Sequence, residues 1–264
     1  MKNYLIILAL AVLIASCSKS SDDSSSPDDP PVNKNANLLA TGASANDLLS
    51  NATFDRMVIE VAHVQNFRPT PEAMDNFVTF LRGRTFKEDI TLIYRDLPSP
   101  GEETLTLQEI ADLEKENRTE YNNGSTLAIY IYFADAPSDS DDEESSSVTL
   151  GAVYRNTSMV IHEATVRRLA ARSALVSLAD AETATINHEF GHLFGLVDLG
   201  SSEINPHEDP ESENHCDQAG CLMRAELEFG SGLMSMLESR VGKGAVVPEL
   251  DPECLLDLSS NGGR

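Results

Sequence analysis

A chain of 264 residues is long enough for one large domain or two small ones. An apolar fraction of 41% supplies a core and excludes a disordered protein, and a formal net charge of −24 argues against nucleic acid and anionic membrane surfaces as partners. Much of the acidity falls in loops and tails, so it bears on solubility more than on substrate.

The N-terminus carries an address. Met1-Lys2 gives a positive start, and residues 4–14 form an apolar run too short for a stable spanning helix. Ile14-Ala15-Ser16-Cys17 follows, small residues before a cysteine. This resembles the lipobox of bacterial lipoproteins, whose cysteine becomes the lipidated first residue of the mature chain. The resemblance implies a signal peptide at 1–16, a lipid on Cys17 and residence at the outer membrane of a bacterial cell envelope, exposed at the surface. The alternative is an ordinary secretory signal with Cys17 incidental. Residues 17–37 are polar, acidic and rich in Pro and Ser, which is the composition of a disordered tether. Their Ser/Asp run is similar to the surface-export signals of Bacteroidetes-type lipoproteins.

The folded part is expected from residue 38. Residues 55–64 alternate and are β-branched, a strand. Thr70-Pro71-Glu72 opens a helix, on which Met74, Phe77, Val78 and Leu81 share a face. Residues 89–95 make a second strand, 106–118 an amphipathic helix, and 126–133 a strand apolar enough to be central. The acidic stretch 135–147 lacks the spaced ligands and glycine of an EF-hand loop and reads as a solvated insert. Residues 148–161 hold one or two strands broken near Asn156-Thr157. A helix follows at 167–178, and Asp180 is the candidate N-cap of the next one. This order gives an α/β (α+β) fold with a small twisted sheet. There is no nucleotide-binding Gly-rich loop and no G-x-S-x-G elbow, which favours metal chemistry.

That next helix carries His188-Glu189-Phe190-Gly191-His192. Residues i and i+4 share a helix face, so two imidazoles can take one Zn²⁺ at roughly 2.0–2.1 Å each. Glu189 reaches the edge of that face, where it can accept a proton from an activated water, which is why H-E-x-x-H reads as a zinc hydrolase. The competing reading is two structural histidines on a buried helix. Catalytic zinc needs a third protein ligand, and Gly195 can end the helix with φ > 0 so that the chain turns back to deliver one.

With His188, Glu189, His192 and Gly195 the sequence resembles the metzincin metallopeptidases, H-E-x-x-H-x-x-G-x-x-H followed by a Met-turn. Asp198 stands where the third histidine belongs, as in metzincins of the snapalysin type. Farther on, His215-Cys216, then Cys221 and Met223, match the His-Cys-x₄-Cys-x-Met ending of archaemetzincins, displaced by a 17-residue insert, 198–214. The resemblance implies His215 as third ligand and Met223 as the Met-turn residue. Asp198 ranks second, and His207 within the insert third. His63 and His162, far upstream, read as structural. A metzincin-like zincin is implied, with catalytic domain 38–264 divided at 195/196 into an N-terminal subdomain and a mostly irregular or helical C-terminal one. Its edge strand, within 148–161, would line the cleft and hold an extended peptide. One departure is Arg224 after Met223, where several metzincins carry a transition-state-stabilising tyrosine.

Setting Cys17 aside leaves Cys216, Cys221 and Cys254, an odd number. Outside the cytoplasm one disulfide and one free thiol is the first expectation. Archaemetzincins instead hold a second, structural zinc on four cysteines, which implies a Cys₃Asp site with Asp257 as the alternative. The functional expectation is a surface-tethered zinc peptidase with peptide or protein substrates, Glu189 as general base and acid, and membrane contact through its lipid alone. Two competitors are a binding lipoprotein that keeps the zincin scaffold and a hydrolase of non-peptide amides.

Overall fold

The computed structural model describes residues 32–141, 148–228 and 231–264. The expected signal peptide, Cys17 and the tether through residue 31 lie outside the described residues, as do residues 142–147 of the acidic insert.

Five strands form one mixed sheet: β1 (Arg56–Val64), β2 (Asp89–Leu97), β3 (Thr126–Phe133), β4 (Gly151–Arg155) and β5 (Ser158–Ile161). Their order is β2-β1-β3-β5-β4, parallel throughout except for β4, which pairs antiparallel with β5 at the edge. The apolar β3 lies in the middle, as its composition requires. Parallel neighbours need crossovers. After the short α1 (Ala45–Leu49), α2 (Pro71–Arg84) joins β1 to β2 and α3 (Leu107–Asn117) joins β2 to β3. Both start where the sequence places them. Thr70 caps α2 by accepting from Ala73 N–H, and Thr106 with Glu109 closes a capping box on α3.

Period-two alternation sorts β3 onto two cores. Leu127, Ile129, Ile131 and Phe133 face the larger core, with Met74 and Phe77 of α2. Tyr130 and Tyr132 face the smaller one, with Ile110 of α3. Among the described residues no helix is long and apolar enough to cross a membrane.

Beyond the sheet the expected boundaries shift. The helix anticipated at 167–178 is α4 (Glu163–Ala170), and it ends eight residues early. Ser173 Oγ accepts from the N–H groups of Leu175 and Val176, a local side-chain turn that competes with helix. The following helix, α5 (Leu178–Leu193), is capped by Ser177 rather than Asp180. Asp180 is instead the third helical residue of a capping box, with its carboxylate accepting from Ser177 N–H. Two further helices, α6 (Ser231–Arg240) and α7 (Pro252–Ser260), complete the C-terminal part.

Where α4 packs on α5, two carboxyl groups meet inside the protein. Glu182 Oε2 accepts from Thr70 N–H and from its hydroxyl, while Glu163 Oε1 lies 2.5 Å from Arg167 Nε. Burial, then the charge of Glu182, pushes the Glu163 carboxyl up to about 9 although Arg167 opposes this. The folded state therefore keeps a proton that the unfolded chain, with a glutamate pKa of about 4.3, gives up earlier. Stability from this proton is full below the unfolded pKa and is lost as pH rises towards 9. Glu163→Gln is accordingly expected to flatten the fall in melting temperature between pH 6 and 9. Parallel curves for the two proteins would assign that fall to other groups.

Candidate metal centre

Helix α5 is buried at every position from Ala181 to Leu193, so it runs through the core and its polar residues must find partners there. His188 and His192 project from one face, with their Nε2 atoms 3.2 Å apart. The helix stops at Phe194. Gly195 (φ 73°), Val197 (φ 56°) and Asp198 (φ 60°) then take the left-handed conformation and turn the chain sharply. A Cβ on Gly195 would lie 2.7 Å from Ser201 N and 2.9 Å from Ala45 Cβ, so this turn needs glycine twice over. Asp198 ends up exposed, away from the two histidines.

The chain returns with His215. Its ring centre lies 5.4 Å from that of His188 and 5.2 Å from that of His192. Glu228 completes the cluster, Oε2 being 2.6 Å from His215 Nε2, 3.6 Å from His192 Nε2 and 3.8 Å from His188 Nε2. His188 Nδ1 lies 2.7 Å from the Leu222 carbonyl and His215 Nδ1 2.9 Å from that of Glu213. A carbonyl only accepts, so both rings carry a proton on Nδ1 and aim Nε2 inward, the atom a metal would take. Burial pulls the His192 pKa down to about 4, keeping that ring neutral. On His215 the neighbouring Glu228 outweighs burial and raises the pKa, and the three histidines in turn hold Glu228 ionised against its own burial.

Met223 packs beneath the helix. A Cβ on Gly191 would fall 2.2 Å from Met223 Sδ, so glycine between the two histidines makes room for the thioether. Gly191→Ala is expected to destabilise the fold by about 1–3 kcal/mol, the usual penalty of overpacking, despite alanine's better helix propensity. A denaturant midpoint equal to wild type would show that Met223 yields.

Glu189 has no exposed surface and no hydrogen-bond partner for either carboxyl oxygen among the described residues. Burial, then the charge of Glu228, pushes its pKa well above the usual carboxylate range. It lies against Gly151 at the start of edge strand β4, where a Cβ would come within 2.6–2.8 Å of the Glu189 side chain. A cavity of about 580 Å³ opens here, lined by Ala152 and Val153 of β4 and by Glu189, His192, His215 and Glu228. Arg224 does not line it. Its guanidinium is held by Glu226 at 2.6 Å, by Asp209 at 3.5 Å and by the Asp217 carbonyl at 3.1 Å. His63 is buried in β1 and His162 leads into α4 with Nδ1 3.0 Å from the Ala136 carbonyl; neither approaches the cluster.

The cysteines correct the expectation. Cys216, Cys221 and Cys254 are all free thiols, and Cys221 Sγ is 3.7 Å from Cys254 Sγ, well outside the ~2.05 Å of a disulfide. Cys216 and Cys254 flank His207, whose Nδ1 is 3.4 Å from Cys216 Sγ and 4.0 Å from Cys254 Sγ, and these donors lie within 4.8 Å of one another together with a carboxylate oxygen of Asp251. His207 thus belongs to this second group and not to the first. Asp257 is not among the inner donors, because its Oδ2 lies 2.8 Å behind the ring, on His207 Nε2. Asp251 Oδ1 caps α7 through Cys254 N–H at 3.0 Å and stands 3.5 Å from Cys221 Sγ. Hydrogen bonds from Cys216 and Cys254 pull the Cys221 thiol down to about 4, so the group already favours a thiolate. Burial opposes charge on His207, but Asp257 and Cys216 raise its pKa to about 9.

No protein-family model and no curated protein sequence matches this chain. Among solved structures, it is similar to archaemetzincin from Methanopyrus kandleri, with 16% identity, a TM-score of 0.45, and coverage of 78% of this chain and 96% of that one. It is also similar to a zinc-dependent peptidase from Methanocorpusculum labreanum, with 12% identity, a TM-score of 0.44, and coverage of 76% and 99%. What the site can do is decided by its own residues.

Both donor sets fit zinc. Three imidazoles make a His₃ set like that of catalytic zinc, and His207 with Cys216 and Cys254, joined by Cys221 beside Cys254, approaches the Cys₃His set of structural zinc. Asp257 behind His207 supplies the carboxylate–histidine support such ligands use. Glu228 and the placement of His207 had no signal in the sequence. Neither belongs to a spaced motif, and both arrive through long irregular connections.

Proposed function

We propose that the chain is a zinc-dependent peptidase of the metzincin type. The observation that carries this is the convergence of three Nε2 atoms beside a buried, unpartnered Glu189, on a cavity walled by a sheet edge. His188, His192 and His215 would hold the ion, which supplies Lewis acidity towards the scissile carbonyl and towards water. Glu189 accepts the proton of the attacking water and returns it to the leaving amine, a role open to a carboxylate beside the cavity with both oxygens unpartnered among the described residues. Strand β4 offers free backbone groups for an extended peptide, and Gly151 lets that strand pass close to Glu189. Cys216, Cys221, Cys254 and His207 would hold a second ion with a structural role. A lipid on Cys17 and the tether after it would keep the enzyme on the cell surface, a reading supported by Ile14-Ala15-Ser16-Cys17 and by the composition of 17–37. A non-catalytic scaffold gives no account of Glu189.

Metal analysis of the purified chain is expected to find two zinc ions. Casein cleavage is expected to fall at least ~100-fold in Glu189→Ala, the scale of a lost general base, with metal content unchanged. Equal cleavage by both proteins would sink the peptidase reading.

A further inference from the structure

We propose that Glu228 is a fourth protein ligand of the His188/His192/His215 centre and keeps the enzyme latent until it withdraws, a regulation that rests on the peptidase reading above. Four-coordinate zinc with bonds of ~2.0–2.1 Å places its ligand atoms about 3.3 Å from one another. His188 and His192 Nε2 are 3.2 Å apart, and Glu228 Oε2 stands 3.6 and 3.8 Å from them, close to the edges of such a tetrahedron. The remaining pair, Glu228 with His215 at 2.6 Å, is a hydrogen bond that an ion would replace. All four donor atoms lie within 4.8 Å of one another. A carboxylate is a good zinc donor, and three histidines plus one carboxylate leave no fourth corner for water. Closed sites of this kind are structural, whereas catalytic ones keep a position open.

The main chain at Glu228 ties the ligand to the cleft. Its carbonyl accepts the Leu150 N–H at 2.9 Å, one residue before β4. Withdrawal of Glu228 therefore frees the fourth corner together with a backbone donor in line with the edge where a peptide would lie. Arg224, a neighbour in sequence, is held by Glu226 and Asp209, and Glu228 Oε2 lies against the three histidines.

The test uses the full chain loaded with Co²⁺ in place of zinc, as wild type, Glu228→Ala, Glu228→Gln and the exposed, remote control Glu102→Ala. Thermal melts establish that each is folded, and the isosteric glutamine variant guards against collapse of the alanine one. In both Glu228 variants, ligation by Glu228 predicts altered visible d–d bands and at least tenfold faster loss of the ion to a chelator, and latency predicts at least tenfold faster casein cleavage. Glu102→Ala should match wild type in all three. Identical spectra and loss rates in wild type and both Glu228 variants would overturn the proposal and leave Glu228 as a mere counter-charge. Changed spectra and loss rates with no cleavage by any variant would uphold the ligand and remove the peptidase reading instead. Changed spectra with slower cleavage in both variants would overturn latency.

Discussion

His215→Ala is expected to empty the first centre under mild chelation, whereas Asp198→Ala retains its ion like wild type. The two residues compete in sequence for the same role, since Asp198 stands three places after Gly195 and His215 opens the His-Cys-x₄-Cys-x-Met ending. In space they do not compete. His215 Nε2 belongs to the cluster of His188, His192 and Glu228, with Nδ1 fixed by the Glu213 carbonyl at 2.9 Å. Asp198 sits at φ 60° on the exposed outside of the turn. Loss of an inner ligand should weaken the ion by more than the roughly 10–100-fold typical of losing a group behind a ligand. It also leaves Glu228 without its nearest partner. Competition with a graded series of chelators reads the affinity, and casein cleavage should fall in step. Retention by His215→Ala together with loss by Asp198→Ala would return the third-ligand role to the turn itself.

Local patterns carried the sheet and the first half of the site. Residues 126–133 announce a buried central strand because every position after Thr126 is apolar or aromatic, and Thr70-Pro71 announces α2 through cap chemistry that acts within one turn. His188, Glu189 and His192 were legible because helical spacing alone brings i and i+4 together. Gly195 was legible because only a residue tolerant of positive φ ends a helix that way. The misplacements have equally local causes. Ser173 and Ser177 redirect the chain through side-chain hydrogen bonds, which shortened α4 and moved the cap of α5 off Asp180. Periodicity is blind to such competition. Glycines 151 and 191 look unremarkable in sequence, and their need arises from Glu189 and Met223 arriving from other elements. The cysteines failed for a different reason. A compartment argument set their pairing, while geometry set their partner, and His207 reaches them from an insert with no motif of its own.

Chelation, and not reduction, is expected to unfold the C-terminal part of this protein. The second centre draws Cys216 from the segment carrying His215 and Met223, Cys254 from α7 and His207 from the insert, with Cys221 beside Cys254. Apart from α7 these segments are irregular, so an ion joining them adds a cross-link to the burial of Leu222, Leu250 and Leu258 in the main core. Free zinc-binding peptides gain an apparent ~10–16 kcal/mol from such an ion. A site in a folded chain has part of that order already formed, so Cys254→Ser is expected to lose one of two ions and about 3–5 kcal/mol. At roughly 2–4 °C per kcal/mol for a chain of this size, the melting temperature should drop by about 10 °C. Asp257→Asn keeps all inner donors and removes the carboxylate 2.8 Å behind His207, so it should weaken the ion roughly 10–100-fold and leave the fold intact when zinc is in excess. A disulfide would answer differently: a reductant would lower the melting temperature, a chelator would leave it in place, and thiol titration of the unfolded chain would find one reactive group among these three cysteines. The converging thiols predict the opposite on each count. Because Cys216 directly follows His215, a chain that lost this second ion should also hold the first one less tightly, which links the structural centre to activity without any contact with substrate.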